Sequence, residues 1–409
     1  CIKTESAGSN VAVEKKSGSP PPKQRDFWVV DGEGYDFSKF VDRHPGGPGW
    51  FEPTVGRDIS VLVYGYHKDP SMLEPLLKKY KMTKDDPDYE FCQYDNIKPK
   101  LGMPDFATPP GYDARKDVTK WDFKSKDTLL VAVQNVVKQP EFQKKVKWAN
   151  FCFDFTCLMV CALYIINNLA FLFDIQVLPF EISTWASVPL YVFCRAAFGS
   201  FGHYYLHAKA PHPGFVLFDA GYGPTCATAV DAHCLIHHVY THSDADVKNT
   251  LFCGMWALPP LWRPVGFTLN KLCMLISGTF FQLREISARI SKFDMFMTKW
   301  YYVAFRGMLV AELFLAVYAG KTVPFLTQFF ITLWYTIFLI LSGHDFLYED
   351  DEQDESLKSI TDWGVYQVKT AYDFKLTGFK HFDMLLSAGL SSHRAHHIAP
   401  YQASGFANI

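Results

Sequence analysis

Seven of the fourteen histidines of this 409-residue chain fall between His203 and His242. Four more keep similar company: His344 at the end of an apolar run, and His393, His396 and His397 in HRAHH. Imidazole is the commonest metal-binding side chain and is costly to bury without a partner. Clusters at helical spacing therefore point to metal ligands converging from several helices. In HYYLH, His203 and His207 share one helix face, as do His393 and its i+3 and i+4 neighbours His396 and His397. Adjacent helical residues point roughly 100° apart, so His396 and His397 do not readily serve one ion. The doubled His237 and His238 repeat this, with His233 at i−4 of the first and His242 at i+4 of the second. Two ions side by side account for the doubling. A zinc hydrolase fits poorly, because no HExxH supplies a catalytic Glu and the histidines outnumber a tetrahedral site. Asp219, Asp231, Asp244 and Asp246 are either carboxylates that orient these imidazoles or solvated loop acids.

A second chemistry sits upstream. Residues 1–24, rich in Ser, Gly, Pro and Lys, read as a tail that buries too little to fold. Residues 25–83 read as a compact α+β unit, with a strand near Phe27–Val30, a helix around Phe37–Val41, and an HPGG turn at His44–Gly47. Pro45 fixes the chain direction, while Gly46 and Gly47 permit positive φ and close approach to a flat ligand. The run FVDRHPGG (Phe40–Gly47), the GRD segment (Gly56–Asp58) and YGYH (Tyr64–His67) resemble the haem-binding core of cytochrome b5. That resemblance implies haem b with His44 and His67 as axial ligands. A haem with both axial positions filled carries electrons and leaves no place for O2.

The elements that must position the histidines are apolar. Residues 84–125 read as a linker, and Leu129–Phe142 as an amphipathic helix that lies on a membrane surface or caps the next domain. Four apolar stretches follow, at about 151–173, 184–206, 298–319 and 323–344, each near the roughly 20 residues needed to cross a bilayer. Arg306 and Glu312 interrupt the third, and Lys321 stands in the turn after it. Lys144, Lys145 and Lys147 precede the first span, whereas residues 174–183 carry no Lys or Arg. By the positive-inside rule the N-terminal flank, the haem unit and every histidine cluster then share the cytosolic side. Residues 250–296 read as interfacial helices. The 36 Phe, 21 Tyr and 10 Trp suit a membrane core and its aromatic belts. A net charge of −2 offers no broad attraction to nucleic acid. The ten cysteines contain no CxxC pair and read as small buried hydrophobes. No signal peptide is visible, and the sequence begins at Cys1.

The order HxxxH, HxxxHH, HxxHH across residues 126–409, with HHVYTHSDADV (His237–Val247) and DWGVYQVKT (Asp362–Thr370), resembles the membrane fatty acid desaturase and hydroxylase superfamily. Fusion to a cytochrome b5-like unit is similar to the front-end desaturases. The resemblance implies an α-helical membrane protein of four transmembrane helices with a cytosolic helical cap. It implies two non-haem irons held by His203, His207, His233, His237, His238, His393, His396 and His397, with His344 as a further ligand or a water-mediated contact. It also implies O2 as co-substrate, an acyl lipid as substrate, a cytochrome b5 reductase drawing on NADH as donor, and the endoplasmic reticulum as location. The alternatives are a lipid hydroxylase on the same scaffold and a non-enzymatic haem protein. Three departures from the front-end pattern stand out: the extra residue between His233 and His237, His242 in place of Asn, and His393 in place of Gln. His242 becomes a neighbour of the ligands or a substitute for one. The chain ends twelve residues after His397, earlier than the resemblance leads one to expect.

Overall fold

The computed structural model describes residues 26–51, 54–86, 89, 121–208, 214, 216–222, 231–241, 246, 258–270, 272–273, 296–343, 356–387 and 389–401. The upstream unit opens with a hairpin, β1 (Trp28–Val30) against β2 (Glu33–Tyr35), antiparallel with Trp28 opposite Tyr35. The tight turn is made by Asp31 and Gly32, both at positive φ. The helix expected around Phe37–Val41 is instead a turn followed by a single 3-10 turn, Val41–Arg43. Pro45 forces the preceding His44 to extended backbone (ψ 125), which stops helix growth there. Helices α1 (Ser60–Gly65) and α2 (Glu74–Tyr80) complete the unit around a core of Trp28, Val30, Phe37, Phe51, Ile59 and Val63.

The amphipathic segment folds as α3 (Leu129–Val137), shorter than the expected Leu129–Phe142. Pro140 is the reason: it holds Gln139 extended (ψ 133) and starts a new helix, α4 (Pro140–Phe173). Thr128 caps α3 by accepting from the Val131 N–H. Helix α3 packs against both units: its Leu130 clusters with Val239 and Trp363 downstream, while its buried Gln134 donates to backbone carbonyls of the upstream unit.

Helices α5 (Ser187–Leu206) and α6 (Val216–Tyr222), then α7 (π-helical over Asp231–His237, α-helical over His238–Tyr240), carry the first two histidine groups. The two long helices α8 (Phe296–Tyr318) and α9 (Thr322–Gly343) follow. The chain then makes α10 (Trp363–Thr370), α11 (Lys380–Leu386) and α12 (His393–Ile398). Helices α5 and α6 cross so closely that a Cβ on Gly202 would collide with the Phe218 backbone.

By length and hydropathy α4 and the Thr322–Leu339 part of α9 suffice to cross a membrane. Their outward faces are apolar and bare, with Phe155, Leu158 and Ile165 on α4 and Val323, Phe330 and Phe338 on α9. Helix α5 is more polar because it carries Arg195, Ser200 and His203 inward, all buried. Two of the charges in or beside the apolar stretches, Glu312 and Lys321, have partners. Glu312 on α8 receives Arg195 Nη2 at 3.0 Å and the Tyr164 hydroxyl at 2.6 Å. Lys321 donates to Asp174 Oδ1 and to the Phe171 carbonyl at the C-terminus of α4, each at 2.6 Å.

Candidate metal centre and haem pocket

His44 and His67 face each other with ring centroids 6.1 Å apart. Each ring is anchored at Nδ1, His44 to the Gly47 carbonyl at 3.0 Å and His67 to the Val63 carbonyl at 2.9 Å. That fixes the proton on Nδ1 and leaves both Nε2 atoms as donors of a lone pair. Burial pushes both imidazoles below their usual range, which keeps them neutral. A metal–imidazole bond of about 2 Å on each side places two trans ring centroids roughly 6 Å apart, so the pair fits an iron between them. The cavity here is about 590 Å³ and is walled by Phe40, Phe51, Leu62, Val63, Leu73 and Leu77. Gly47 has the positive φ expected of it (91°). Gly46 serves otherwise, since a Cβ there would lie 2.7 Å from the His44 ring.

The other histidines gather into two adjacent sets. Donor atoms of His203, His207, His233 and His396 all lie within 4.8 Å of one another, and so do those of His237, His393 and His397. His238 joins the first set, with its Nε2 3.2 Å from that of His233 and 3.0 Å from that of His396. Its ring stacks on His397 of the second set at 4.3 Å. His203 and His233 approach to 2.7 Å, and His393 and His397 to 3.1 Å, all through Nε2. Two imidazoles bound at right angles to one metal have nitrogens about 3 Å apart. One shared proton satisfies one such pair, but His233 Nε2 and His238 Nε2 each meet two others, which fits a cation. All eight rings are buried. Burial, then the neighbouring His207 and His396, push His238 well below the usual imidazole range. Neutral imidazole donors of this kind suit iron, and equally zinc, copper or nickel, among the first-row metals.

Helical spacing led to His233 beside His237. The π-helical turn changes that pairing. Its wider i→i+5 repeat turns His238 back onto His233 and sends His237 to the second set. The extra residue in this box is thereby absorbed without losing a ligand. The separation of His396 from His397 into different sets is as the 100° rule requires.

Surrounding polar groups set the ring orientations. His237 Nδ1 meets Asp246 Oδ2 at 2.8 Å, and both side chains are buried. His397 Nδ1 donates to Gln367 Oε1 at 2.8 Å, and Gln367 Nε2 donates to the His238 carbonyl at 3.2 Å. The Thr241 hydroxyl lies 3.1 Å from the same Gln367 oxygen. His393 Nδ1 donates to the Gly343 carbonyl at the end of α9. Sequence reasoning offers Asp246 as one of four candidates, with a solvated loop acid as the alternative, and gives no role to Gln367 or Thr241. A signal existed for Gln367, which shares a buried face of α10 with Trp363, Tyr366 and Thr370. His242, Asp244 and His344 lie outside the described residues. Asp219 lies within α6, and Asp231 opens the π-helical turn.

Two buried histidine sets meet over three helical segments, beside a pocket in which His44 and His67 face each other, in a protein built on long apolar helices. Residues 183–404 match the fatty acid desaturase family, and residues 11–85 match the cytochrome b5-like haem/steroid binding domain. The chain belongs to the fatty acid desaturase family and is an oxidoreductase with a fused cytochrome b5 domain. A cytochrome b5-related protein of Drosophila melanogaster is 22% identical over 91% of this chain and 78% of its own length. A probable Delta(5) fatty acid desaturase of Dictyostelium discoideum is 22% identical over 91% of this chain and 82% of its own. A chloroplastic acyl-lipid (7-3)-desaturase of Chlamydomonas reinhardtii is 36% identical over 14% of the chain. No solved structure matches the chain.

Proposed function

We propose that this chain inserts a cis double bond into an acyl lipid, consuming O2 and two electrons that arrive singly through its own haem. The observation that carries the reading is the division of the box histidines into two adjacent buried sets. His203, His207, His233, His238 and His396 would hold one iron, and His237, His393 and His397 the other. His344 follows Gly343, whose carbonyl orients His393, and is a further candidate ligand of that second set. His44 and His67 would hold haem b. The iron pair, when bound, supplies with O2 and two protons the oxidising power to take one hydrogen from each of two neighbouring methylenes, leaving two waters.

The chain's own residues keep that chemistry dry and directed. Asp246 and Gln367 lock the His237 and His397 rings through Nδ1, so that only Nε2 faces inward. Tyr204 and Phe218 cover the flank of His203. An apolar cleft of about 510 Å³ between α5 and α9, lined by Val188, Val192, Ala196, Ile331, Tyr335 and Leu386, is a candidate berth for the acyl chain. Four spans, two being α4 and α9 and the others α5 and α8, would set the sites at the cytosolic face of the endoplasmic reticulum. The lysines before α4 support that orientation. A cytochrome b5 reductase using NADH would then reach the haem. Residues 25–83 would form the haem unit, and 126–409 the desaturase unit. Lipid profiling after expression in yeast tests the reaction: a new double bond is expected. A hydroxy acid would show oxygen retention on the same scaffold and overturn desaturation.

A further inference from the structure

The haem pocket is not walled by its own unit alone. His207 and Ala208, at the end of α5, and Tyr401 close it. Tyr66, which follows α1 and precedes His67 in the chain, lines the pocket and reaches the histidine sets. Its ring lies over His207 with centroids 6.1 Å apart and planes at 27°, and edge-on to His238 at 6.4 Å. Its hydroxyl donates to the carbonyl of Cys234, the residue after His233, at 2.7 Å. One residue is therefore the chain neighbour of the haem-side His67 and at the same time faces the ring of the metal-side His207.

The contact around Tyr66 is built as an interface. Val61 of α1 shares an apolar cluster with Leu130, Val239 and Trp363, which come from α3, α7 and α10. Gln134 donates to the Tyr64 carbonyl at 2.9 Å and the His67 carbonyl at 3.0 Å, tying the haem-side segment to α3. Lys138 pairs with Asp69 at 3.0 Å on the rim. Gly65 makes the close approach possible, since a Cβ there would already stand 3.0 Å from the Trp363 ring. Apolar centre, polar rim and a glycine at the point of closest approach are what a specific docking face requires.

We propose that α1 is the docking face of the haem unit for this chain's own metal unit, and that Tyr66 is the positioning residue through which each electron passes from the His67 side to His207. The inference deepens the desaturase reading and rests on it. His44 and His67 would hold the haem that gives up one electron in each passage, and His207 would help to hold the metal that takes that electron up. Tyr66 keeps its proton on the Cys234 carbonyl throughout, so no proton accompanies the electron. Its ring matters as continuous matter between two imidazoles.

Two measurements test this on the full-length, haem-loaded protein. Treatment with a water-soluble carbodiimide should join Asp69 to Lys138 as an amide, found by peptide mapping. The yield should persist in Tyr66→Phe and fall about tenfold in Gly65→Leu, whose side chain must enter the Trp363 ring. This readout needs neither iron nor lipid, so its failure overturns the docking and leaves the desaturase reading to the lipid assay. In iron-loaded protein, haem reduced by a flash from a deazaflavin should re-oxidise by internal transfer at a similar rate in wild type and Tyr66→Phe. Tyr66→Leu should slow it about tenfold or more, the effect of ~1.4 kcal/mol on a barrier, with haem spectrum and midpoint potential unchanged. An unaltered rate in Tyr66→Leu overturns the role of Tyr66. Slowing matched by a shifted haem potential also overturns it, as damage to the haem itself.

Discussion

Replacing Gln367 by Leu tests whether the metal sets are held by what surrounds them. Gln367 is buried, and its oxygen accepts from His397 Nδ1 at 2.8 Å while its nitrogen donates to the His238 carbonyl at 3.2 Å. Thr241 approaches the same oxygen at 3.1 Å. Leucine has nearly the same volume, so cavity terms are small and the loss is one of hydrogen bonding. Two or three buried bonds at about 1 kcal/mol each, with orphaned partners left behind, come to roughly 3 kcal/mol. Part of that falls on iron binding, because a free His397 ring can turn. Loss of such an orienting partner weakens metal affinity about 10–100-fold. The assay is iron retained per haem after a timed exposure to chelator, with the haem spectrum as internal control. Gln367→Leu should lose iron while its haem stays at the wild-type level. Iron retention equal to wild type would refute the reasoning, since it would mean that the His397 orientation does not depend on its Nδ1 partner.

Other outcomes follow from the same geometry. Glu312→Gln keeps the shape of the buried cluster but deprives Arg195 of its carboxylate at 3.0 Å. Breaking a buried pair costs about 3–5 kcal/mol, so the variant should melt well below wild type in detergent; an unchanged melt would contradict the pairing. His44→Ala should remove the haem Soret band and leave the helix content by circular dichroism unaltered. Burial holds His44, His67 and His238 below the ordinary imidazole value of 6.5 in the fold. The unfolded chain therefore takes up those protons first. Stability of the apoprotein is complete above about pH 6.5 and drains as the pH falls through that value towards the lowered folded ones. Melts at pH 7.5 and pH 5.5 should differ in that direction, and equal melts would contradict neutral burial.

Much of the candidate centre is legible because the grouping of its histidines is written locally. HYYLH and HRAHH sit on helices, where i+3 and i+4 spacing converts directly into a shared face, and the cytochrome b5-like turn fixes His44 through Pro45. The second box was not legible in the same way. Whether His233 faces His237 or His238 depends on an α or π repeat, and HCLIHH is compatible with both. Tertiary partners were hidden for a different reason. Arg195 reads as an isolated charge on an apolar helix until α8 brings Glu312 against it across 117 residues. Tyr66 likewise reads as part of a haem motif until the docking of α1 turns it onto His207. Pro140 was visible in the sequence, yet the unbroken amphipathic period of Leu129–Phe142 masked the helix boundary it imposes.

The claim on which all of this depends is that the eight box histidines hold two irons in adjacent sets. Elemental analysis of the purified full-length protein against its haem absorbance addresses it most directly. Two non-haem irons per haem, falling towards one when His397 is replaced by Ala, is the predicted result. A single iron per haem in the wild type, or zinc in place of iron, would contradict it.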